Sequence, residues 1–450
     1  MAVIELGHVG TGEPDPPAPS PRPSDWGRRY RHRVTAALLA VLCLVTAAGS
    51  GRVPAPRGIR PLWALQFGDG DTFALSGDMV VVQSTGTIGH LTGYGRADGV
   101  ARWSRELATP APYLIAALDS GVVLLPSAPR GGPPRPSVVA GPDLFTETTA
   151  VDARTGAELW HGPGDPTWAS VGYGGDGVLL LDHPATGTSA AATRVRMVGL
   201  RDGRPVWSRA TPGAEMVATV GPDPLRPDRV VTLTKTGRVR MLRLADGAEA
   251  GGGTVVWPPG SGYLATSLEW HGDELDVLHT TDAGSTVAAY SGQPLRQRWR
   301  IDTPSANAEG CGPVWCLHTE DETIGRDWAT GAELWRAPRR GTLTRALGGG
   351  LLALDDTLQG QTRIVDARTG HAVTTLGGRP VDDVTSGVHL TLTPTKSADG
   401  RTVVSRVDPG TGESFTLGAI DGVSERDCGL VRGLLFCTAG GNKLTVTAVG

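Results

Sequence analysis

A short pattern of alternating apolar and polar residues recurs along the chain after residue 60. Each copy has an alternating stretch that ends in Asp, a Thr-Gly or Asp-Gly turn, and a second stretch that often ends in Trp. The clearest copies are AVDARTGAELW (150–160), GRDWATGAELW (325–335) and IVDARTGHAVT (364–374). Alternation with a period of two predicts half-buried β-strands, and the turn residues predict hairpins. The chain after residue 60 is therefore predicted to be all-β.

The turn glycine of each copy gives the period of the repeat. These glycines are spaced 39 to 57 residues apart, at positions Gly99, Gly156, Gly203, Gly247, Gly292, Gly331, Gly370 and Gly412. A period near 40–45 residues with about four strands per unit is that of a β-propeller blade. The sequence predicts a single propeller over residues 61–450. Its length favours about eight blades, and the repeat pattern allows seven to nine.

The two ends of the repeat region complement each other. Residues 428–449 supply inner strands without a following turn, and PLWALQF (61–67) supplies a Trp strand with nothing before it. Pairing of these ends would complete one split blade beside the eight internal units. It would also close the ring and remove two free sheet edges.

The recurrent Asp, Gly and Trp residues are interpreted as structural. The Asp side chain can accept hydrogen bonds from the turn backbone, and Gly adopts the positive φ that a tight turn requires. Trp supplies a large apolar plate with one N–H group, suited to packing between neighbouring blades. The residues assigned to this motif are Asp152, Gly156, Trp160, Asp327, Gly331, Trp335, Asp366 and Gly370.

An uncharged apolar run near the N terminus predicts one transmembrane helix, at residues 34–50. Four arginines at positions 28, 29, 31 and 33 precede it, and basic flanks favour a cytoplasmic N terminus. We therefore expect a disordered Pro/Arg-rich cytoplasmic tail (1–33), the anchor, a linker (51–60) and an extracytoplasmic propeller at the cell membrane. The alternative is a cleaved signal peptide, because residues 47–50 are small.

Four cysteines lie after the apolar run, in two closely spaced pairs. Each pair brackets an expected turn between consecutive strands, and an even number of cysteines on the oxidising side of a membrane favours disulfides. We predict the bridges Cys311–Cys316 and Cys428–Cys437. Metal binding by these cysteines is the alternative.

The overall charge argues against a nucleic-acid partner. The formal net charge is −4, and only three of the 42 basic residues are lysines. A mildly acidic body lacks the electrostatic footprint that a phosphate backbone requires.

The repeated phrase resembles the tryptophan-docking motif of the pyrroloquinoline-quinone-like (quinoprotein-type) propeller repeats. Residues 150–160 match A-x-D-x-x-T-G-x-x-x-W throughout, and residues 325–335 match it except for Gly325. The family contains quinone-dependent dehydrogenases and non-catalytic propellers, including a scaffold subunit that helps to assemble outer-membrane proteins. The resemblance implies that a dehydrogenase would hold its quinone over adjacent cysteines and bind calcium with acidic and amide groups. This chain has no adjacent cysteines and only two asparagines, so we predict no cofactor and no enzymatic activity.

Other motifs give weaker hypotheses. The glycines of GYGGDG, Gly172, Gly174 and Gly177, match a dinucleotide fingerprint, but no helix pattern follows them. The doublets Asp355–Asp356 and Asp382–Asp383 and the run HTEDE (318–322) are interpreted as solvated loop charges rather than metal ligands.

Taken with the anchor, these features predict a non-catalytic binding or scaffold module. Its expected partner is another envelope protein, a peptide or a glycan at the mouth of the channel. The alternatives are a divergent quinone-dependent oxidoreductase and the sensing ectodomain of a signalling assembly.

Overall fold

The computed structural model describes most of the chain from residue 58 onwards. The described part is residues 58–450 with gaps at 86–88, 108–110, 112, 118–119, 128–145, 168–175, 185–190, 222–225, 257–262, 272, 282–283, 304–306, 339–343, 357–359, 384–385, 396–399, 409, 424–427 and 440–441. The expected tail and membrane anchor therefore lie outside the described residues. The described part of the chain contains no helix whose length and hydropathy would let it cross a membrane.

The described chain is built from 35 strands, numbered here in chain order. The first, β1 (Ile59–Gln66), pairs with the last strand of the chain and is considered with it below. Blade 1 contains β2 (Thr72–Ser76), β3 (Met79–Ser84), β4 (Gly89–Gly95) and β5 (Ala101–Leu107). Blade 2 contains β6 (Ile115–Ala117), β7 (Val122–Ser127), β8 (Glu147–Asp152) and β9 (Glu158–Pro163). Blade 3 contains β10 (Asp165–Pro166), β11 (Gly177–Asp182), β12 (Ala192–Gly199) and the first half of β13 (Pro205–Val220).

Blades 4 to 6 follow with the same antiparallel order. Blade 4 contains the second half of β13, β14 (Arg229–Thr234), β15 (Arg238–Arg243) and β16 (Glu249–Thr254). Blade 5 contains β17 (Tyr263–His271), β18 (Glu274–Thr281), β19 (Gly284–Ser291) and β20 (Arg296–Thr303). Blade 6 contains β21 (Asn307–Cys311), β22 (Val314–His318), β23 (Glu322–Arg326) and β24 (Glu333–Pro338).

The last three blades return to the start of the chain. Blade 7 contains β25 (Thr344–Gly348), β26 (Leu351–Asp356), β27 (Gln361–Asp366) and β28 (Ala372–Gly377). Blade 8 contains β29 (Arg379–Asp383), β30 (Val388–Pro394), β31 (Thr402–Val407) and β32 (Ser414–Ile420). Blade 9 contains β33 (Cys428–Val431), β34 (Leu434–Ala439), β35 (Lys443–Val449) and β1.

Blade 9 confirms the predicted pairing of the two ends of the repeat region. Strand β1 runs antiparallel to β35, with Ile59 opposite Val449 and Gln66 opposite Lys443. The amide of Gly450 also donates a hydrogen bond to the carbonyl oxygen of Gly58, at 2.9 Å. One blade is thus assembled from both ends of the described chain, which protects the outer edge of β35.

The number of blades is nine, within the predicted range but above the eight that chain length favours. Seven sheets have four strands, and the eighth has seven strands because blades 3 and 4 share β13. Ala214 is where this strand passes from one blade to the next, since it pairs with Ala192 of β12 and with Thr234 of β14. A shared strand and the very short β6 and β10 let nine blades fit in the available length.

The hydrophobic core is divided among the seams between neighbouring blades. Nine apolar clusters are present among the described residues, and each joins side chains of two adjacent blades. For example, Val81 of blade 1 packs in one cluster with Val151 of blade 2, and Trp299 of blade 5 with Trp315 of blade 6. Burial of this apolar surface is the main force that holds the blades together.

Tryptophan side chains fix six of the seams. The indole of Trp335 donates a hydrogen bond to the carbonyl oxygen of Ala367 in the next blade, at 2.6 Å. Its ring lies against the turn glycine Gly370, whose φ of +69° and lack of a side chain the contact requires. The other indoles that donate to the turn of the next blade are Trp63, Trp103, Trp160, Trp207 and Trp299.

The recurrent carboxylates of the repeat hold the turns that these indoles contact. Asp152 accepts hydrogen bonds from the amides of Arg154 and Thr155 at 3.1 and 3.0 Å. Asp327 and Asp366 accept the corresponding hydrogen bonds from backbone amides of their turns, at 3.0 and 2.8 Å. Each of these aspartates therefore shapes the turn onto which the preceding blade docks.

Candidate binding site at the seam of blades 5 and 6

An open cavity of about 400 Å³ lies where blades 5, 6 and 7 meet. Its walls come from the β17–β18 and β21–β22 connections and from the turns that precede β24 and β28. These connections all lie at one end of the blades, because successive antiparallel strands turn at alternate ends. The residues that line this seam cavity are His271, Asp273, Glu274, Pro313, Asp327, Trp328, Ala329 and Arg368.

Trp328 gives this seam its distinct character. It occupies the turn position that holds the fully buried alanines Ala153 and Ala367 in two other blades. Its indole donates a hydrogen bond to the carbonyl oxygen of Gly312 at 3.1 Å. Its own carbonyl oxygen accepts the indole N–H of Trp299 at 2.7 Å. The side chain is therefore fixed by both its ring and its backbone.

The ring of Trp328 is covered by a histidine from the preceding blade. The imidazole of His271 lies parallel to the indole, with ring centroids 4.1 Å apart and an interplanar angle of 3°. Desolvation of the imidazole lowers the pKa of His271, which favours its neutral form. The pair forms a flat, uncharged aromatic surface in the wall of the cavity.

A column of acidic side chains continues from the cavity into the seam. His271 of β17 lies directly opposite Glu274 of β18. Two positions further along both strands, Glu269 lies opposite Asp276. Residues directly opposite in an antiparallel pair share a face of the sheet, as do residues two apart along a strand. All four side chains therefore lie on the face that packs against blade 6.

Asp276 and Glu269 are the more deeply buried pair of carboxyl groups, and their pKa values are strongly raised. Asp276 is 2% exposed, and neither oxygen of its carboxyl group has a hydrogen-bond partner among the described residues. Burial, followed by the charges of Glu274 and Glu269, raises the pKa of Asp276 to about 8. Burial also raises the pKa of Glu269 to about 7, although the amide of Gly310 donates a hydrogen bond to it. Near neutral pH, Asp276 is mostly protonated.

The carboxylates of Glu274 and Asp327, which line the cavity, come from opposite sides of the seam. Burial raises the pKa of Glu274, the charge of Arg298 lowers it, and the charge of Asp327 raises it further. The Nε of Arg298 is 3.9 Å from Glu274 Oε1, which is too long for a hydrogen bond. Two carboxylates from different blades thus repel each other at the cavity wall and are only weakly compensated.

Both predicted disulfides are confirmed. Cys311 and Cys316 join β21 to β22, and Cys428 and Cys437 join β33 to β34. Cys311, Cys316 and His318 form a compact group, but joined cysteines have no thiolates to offer a metal. None of the four is adjacent to another, so these residues do not fit the cysteine pair that the quinoprotein resemblance implies.

The interpretation of the acidic doublets as solvated loop charges was wrong for Asp355, Asp382 and Asp383, whereas the side chain of Asp356 lies outside what the structure describes. Asp355 ends up 7% exposed in β26, and Asp383 is fully buried in β29. Asp383 accepts the amide of Gly433 in the next blade at 2.9 Å. Asp382 accepts a hydrogen bond from Arg345 of blade 7 at 2.8 Å and lies 3.1 Å from His389. Asp382 and Asp383, at the end of β29, thus each accept a hydrogen bond from a neighbouring blade.

The remaining motifs have mixed outcomes. In HTEDE, Glu320 and Asp321 are exposed in the β22–β23 turn as expected, whereas His318 is buried and contacts Glu309. Gly172 and Gly174 lie outside the described residues. Gly177 is the first residue of β11, so a strand and not a helix follows the glycine motif, as expected.

The sequence interpretation missed the seam cavity. One signal was present, since Trp328 interrupts the D-A-R-T-G turn seen at 152–156 and 366–370. No local signal identifies Glu269 and Asp276 as partners, because their meeting depends on the β17–β18 register.

Comparison with known proteins gives similarity of structure only. No protein-family model matches the chain, and no curated protein matches it. BamB from Moraxella catarrhalis is 14% identical, with 87% of this chain and 99% of that chain covered and a TM-score of 0.45. A europium-containing methanol dehydrogenase is 12% identical over 87% of this chain and 93% of that chain, with a TM-score of 0.40. A propeller of Dos1 is 12% identical over 87% and 95% of the two chains, with a TM-score of 0.42. The assignment of the fold rests on the strand pairing described above.

Proposed function

We propose that this protein is a non-enzymatic binding or scaffold propeller, anchored at the outer face of a bacterial cytoplasmic membrane by residues 34–50. Its partner is another envelope protein, a peptide or a glycan. The observation that carries the proposal is the seam cavity, whose walls come from three consecutive blades. A concave site with an aromatic surface and a few charged groups is suited to recognition.

The rigidity of the surrounding body supports a role in binding. The preceding blade docks on the Trp328 turn through Trp299, and the following turn receives the indole of Trp335. Recognition surfaces on fixed elements lose little conformational entropy when a partner binds. We therefore place the recognition surface at this seam rather than at the mouth of the channel.

Crosslinking in native membranes tests the proposed role. The full chain should give a discrete adduct with an envelope component, identified by mass spectrometry. The competing oxidoreductase function is tested by adding pyrroloquinoline quinone and calcium to the purified chain. Cofactor absorbance together with alcohol oxidation would overturn the non-enzymatic proposal.

The proposed orientation needs a separate experiment. A membrane-impermeant protease added to spheroplasts should digest the propeller and leave the N-terminal tail intact. Protection of the propeller would contradict the location outside the cytoplasm.

A further inference from the structure

We propose that the seam cavity binds the guanidinium group of an arginine side chain presented by a peptide or protein partner. This inference rests on the proposed function, because it names the chemical group that the binding module recognises.

The charge of the cavity wall favours a cation. Three carboxylates line the cavity, on Asp273, Glu274 and Asp327, against the single guanidinium of Arg368. The carboxylates of Glu274 and Asp327 raise each other's energy across the seam, and Asp327 is held in place by its turn. A guanidinium group between them would turn this repulsion into two charge-assisted hydrogen bonds.

The aromatic pair distinguishes a guanidinium group from a compact ammonium group. His271 is exposed and lies flat on the buried Trp328 ring. A planar guanidinium group stacks on such a surface and at the same time donates in its own plane to carboxylates. Lysine offers a point charge without this planar match.

A buried carboxyl group on the same sheet face as the cavity-lining Glu274 provides an independent observation. Asp276 lies on the same sheet face as Glu274, two residues further along β18, with both carboxyl oxygens unpartnered. An unpartnered buried carboxyl group is costly to maintain in a fold. A bound cation above it would favour its ionised form, so binding would release protons and strengthen as the pH rises.

The described side chains do not bring a metal site together here. The only group of three potential ligands that converges within 4.8 Å in the described part of the chain is Cys311, Cys316 and His318. Calcium requires six to eight oxygen ligands at about 2.3–2.6 Å. An organic cation spreads its charge over a larger distance and fits a cavity of about 400 Å³.

The test uses the purified full chain and three small probes in NMR titrations. The probes are N-acetylarginine amide, N-acetyllysine amide and the uncharged N-acetylcitrulline amide. We expect saturable binding of the arginine probe, weaker binding of the lysine probe and none of the citrulline probe. The affinity for the arginine probe should rise between pH 6 and pH 8.5.

Charge-neutral variants locate the binding. The double variant Asp273→Asn/Glu274→Gln should weaken binding of the arginine probe by about tenfold or more, because the direct partner Glu274 and the nearby charge of Asp273 are both lost. The matched control Glu320→Gln/Asp321→Asn removes two exposed carboxylates at the opposite end of blade 6 and should leave the affinity unchanged. Equal binding of citrulline, an unchanged affinity in the cavity variant, or displacement of the probe by micromolar calcium chloride would overturn the inference. If a membrane partner is crosslinked while the arginine probe fails to bind, the proposed function survives and only the assignment of the ligand fails.

Discussion

The imidazole of His271 lies flat on the indole of Trp328, with the two ring centroids 4.1 Å apart. The two rings belong to neighbouring blades, so their contact spans a seam. At two other seams the equivalent turn position is a fully buried alanine whose carbonyl oxygen accepts an indole N–H, as at Ala153 and Ala367. At the seam of blades 5 and 6 this position holds Trp328, whose side chain forms part of the wall of the cavity.

Loss of a docking tryptophan should destabilise the propeller strongly. Trp335 is 7% exposed and donates a hydrogen bond to blade 7, so Trp335→Ala should lower the free energy of unfolding by about 3–5 kcal/mol. Its neighbour Leu334 is 43% exposed, and Leu334→Ala should change stability by less than about 1 kcal/mol. Chemical denaturation compares the two variants directly. Equal stability of the two would contradict the docking role.

The buried carboxyl group of Asp276 should make stability depend on pH. Because its pKa is raised to about 8 in the folded state, the native protein holds the proton more tightly than the unfolded chain. The free energy of unfolding should therefore fall as the pH rises from about 4 to about 8, by a few kcal/mol.

The variant Asp276→Asn should reduce this dependence, and a remainder should persist because burial also raises the pKa values of Glu269 and Asp165 to about 7. It should match the parent most closely near pH 4 and exceed it in stability at pH 8.5, when both are measured by denaturant titration. The exposed variant Asp321→Asn should keep the parental dependence. Parallel curves for the parent and Asp276→Asn would show that this carboxyl group is not the source.

Removal of the carboxylate of Asp383 should also lower the free energy of unfolding. Asp383→Ala leaves the amide of Gly433 without its acceptor across the seam of blades 8 and 9, at a cost of about 1–3 kcal/mol. The matched variant Asp421→Ala removes an exposed carboxylate in the same region and should shift stability by no more than about 0.5 kcal/mol. A melting temperature of Asp383→Ala equal to that of Asp421→Ala would argue that this interblade hydrogen bond is dispensable.

The cysteines of blades 6 and 9 should be oxidised in the protein isolated from its source cells without reductant. Mass mapping without reduction should give one peptide pair with Cys311 joined to Cys316 and another with Cys428 joined to Cys437. Each bridge closes a short loop, so its reduction should cost about 2 kcal/mol. Free thiols at all four positions would place the propeller in a reducing compartment.

The sequence reveals those parts of the fold that depend on local chemistry. The turn from Asp366 to Gly370 is visible because a carboxylate and a glycine are required there, and the pairing of β1 with β35 follows from what each end lacks. The shared strand β13 is not visible, because a continuous strand carries no turn residue between blades 3 and 4.

The candidate site depends on contacts between residues far apart in the chain. Trp328 could be singled out as a departure from the repeat, but its stacking on His271 spans 57 positions and requires the docked blades. The burial of Asp383 could not be predicted either, because two consecutive aspartates give the same sequence pattern in an exposed loop and at the end of a buried strand.

Site-specific photo-crosslinking in native membranes tests the central claim most directly. A photoreactive residue at Ala329, which is exposed in the wall of the seam cavity, should capture a discrete envelope partner. The same residue at Arg154, the equivalent turn position of blade 2, serves as the control. We predict an adduct from position 329 that is absent from position 154. The adduct should be lost when Glu274→Gln is introduced into the chain that carries the photoreactive residue at position 329. Equal adducts from both positions would contradict a recognition site at this seam, and an adduct unaffected by Glu274→Gln would contradict the role of this carboxylate in recognition.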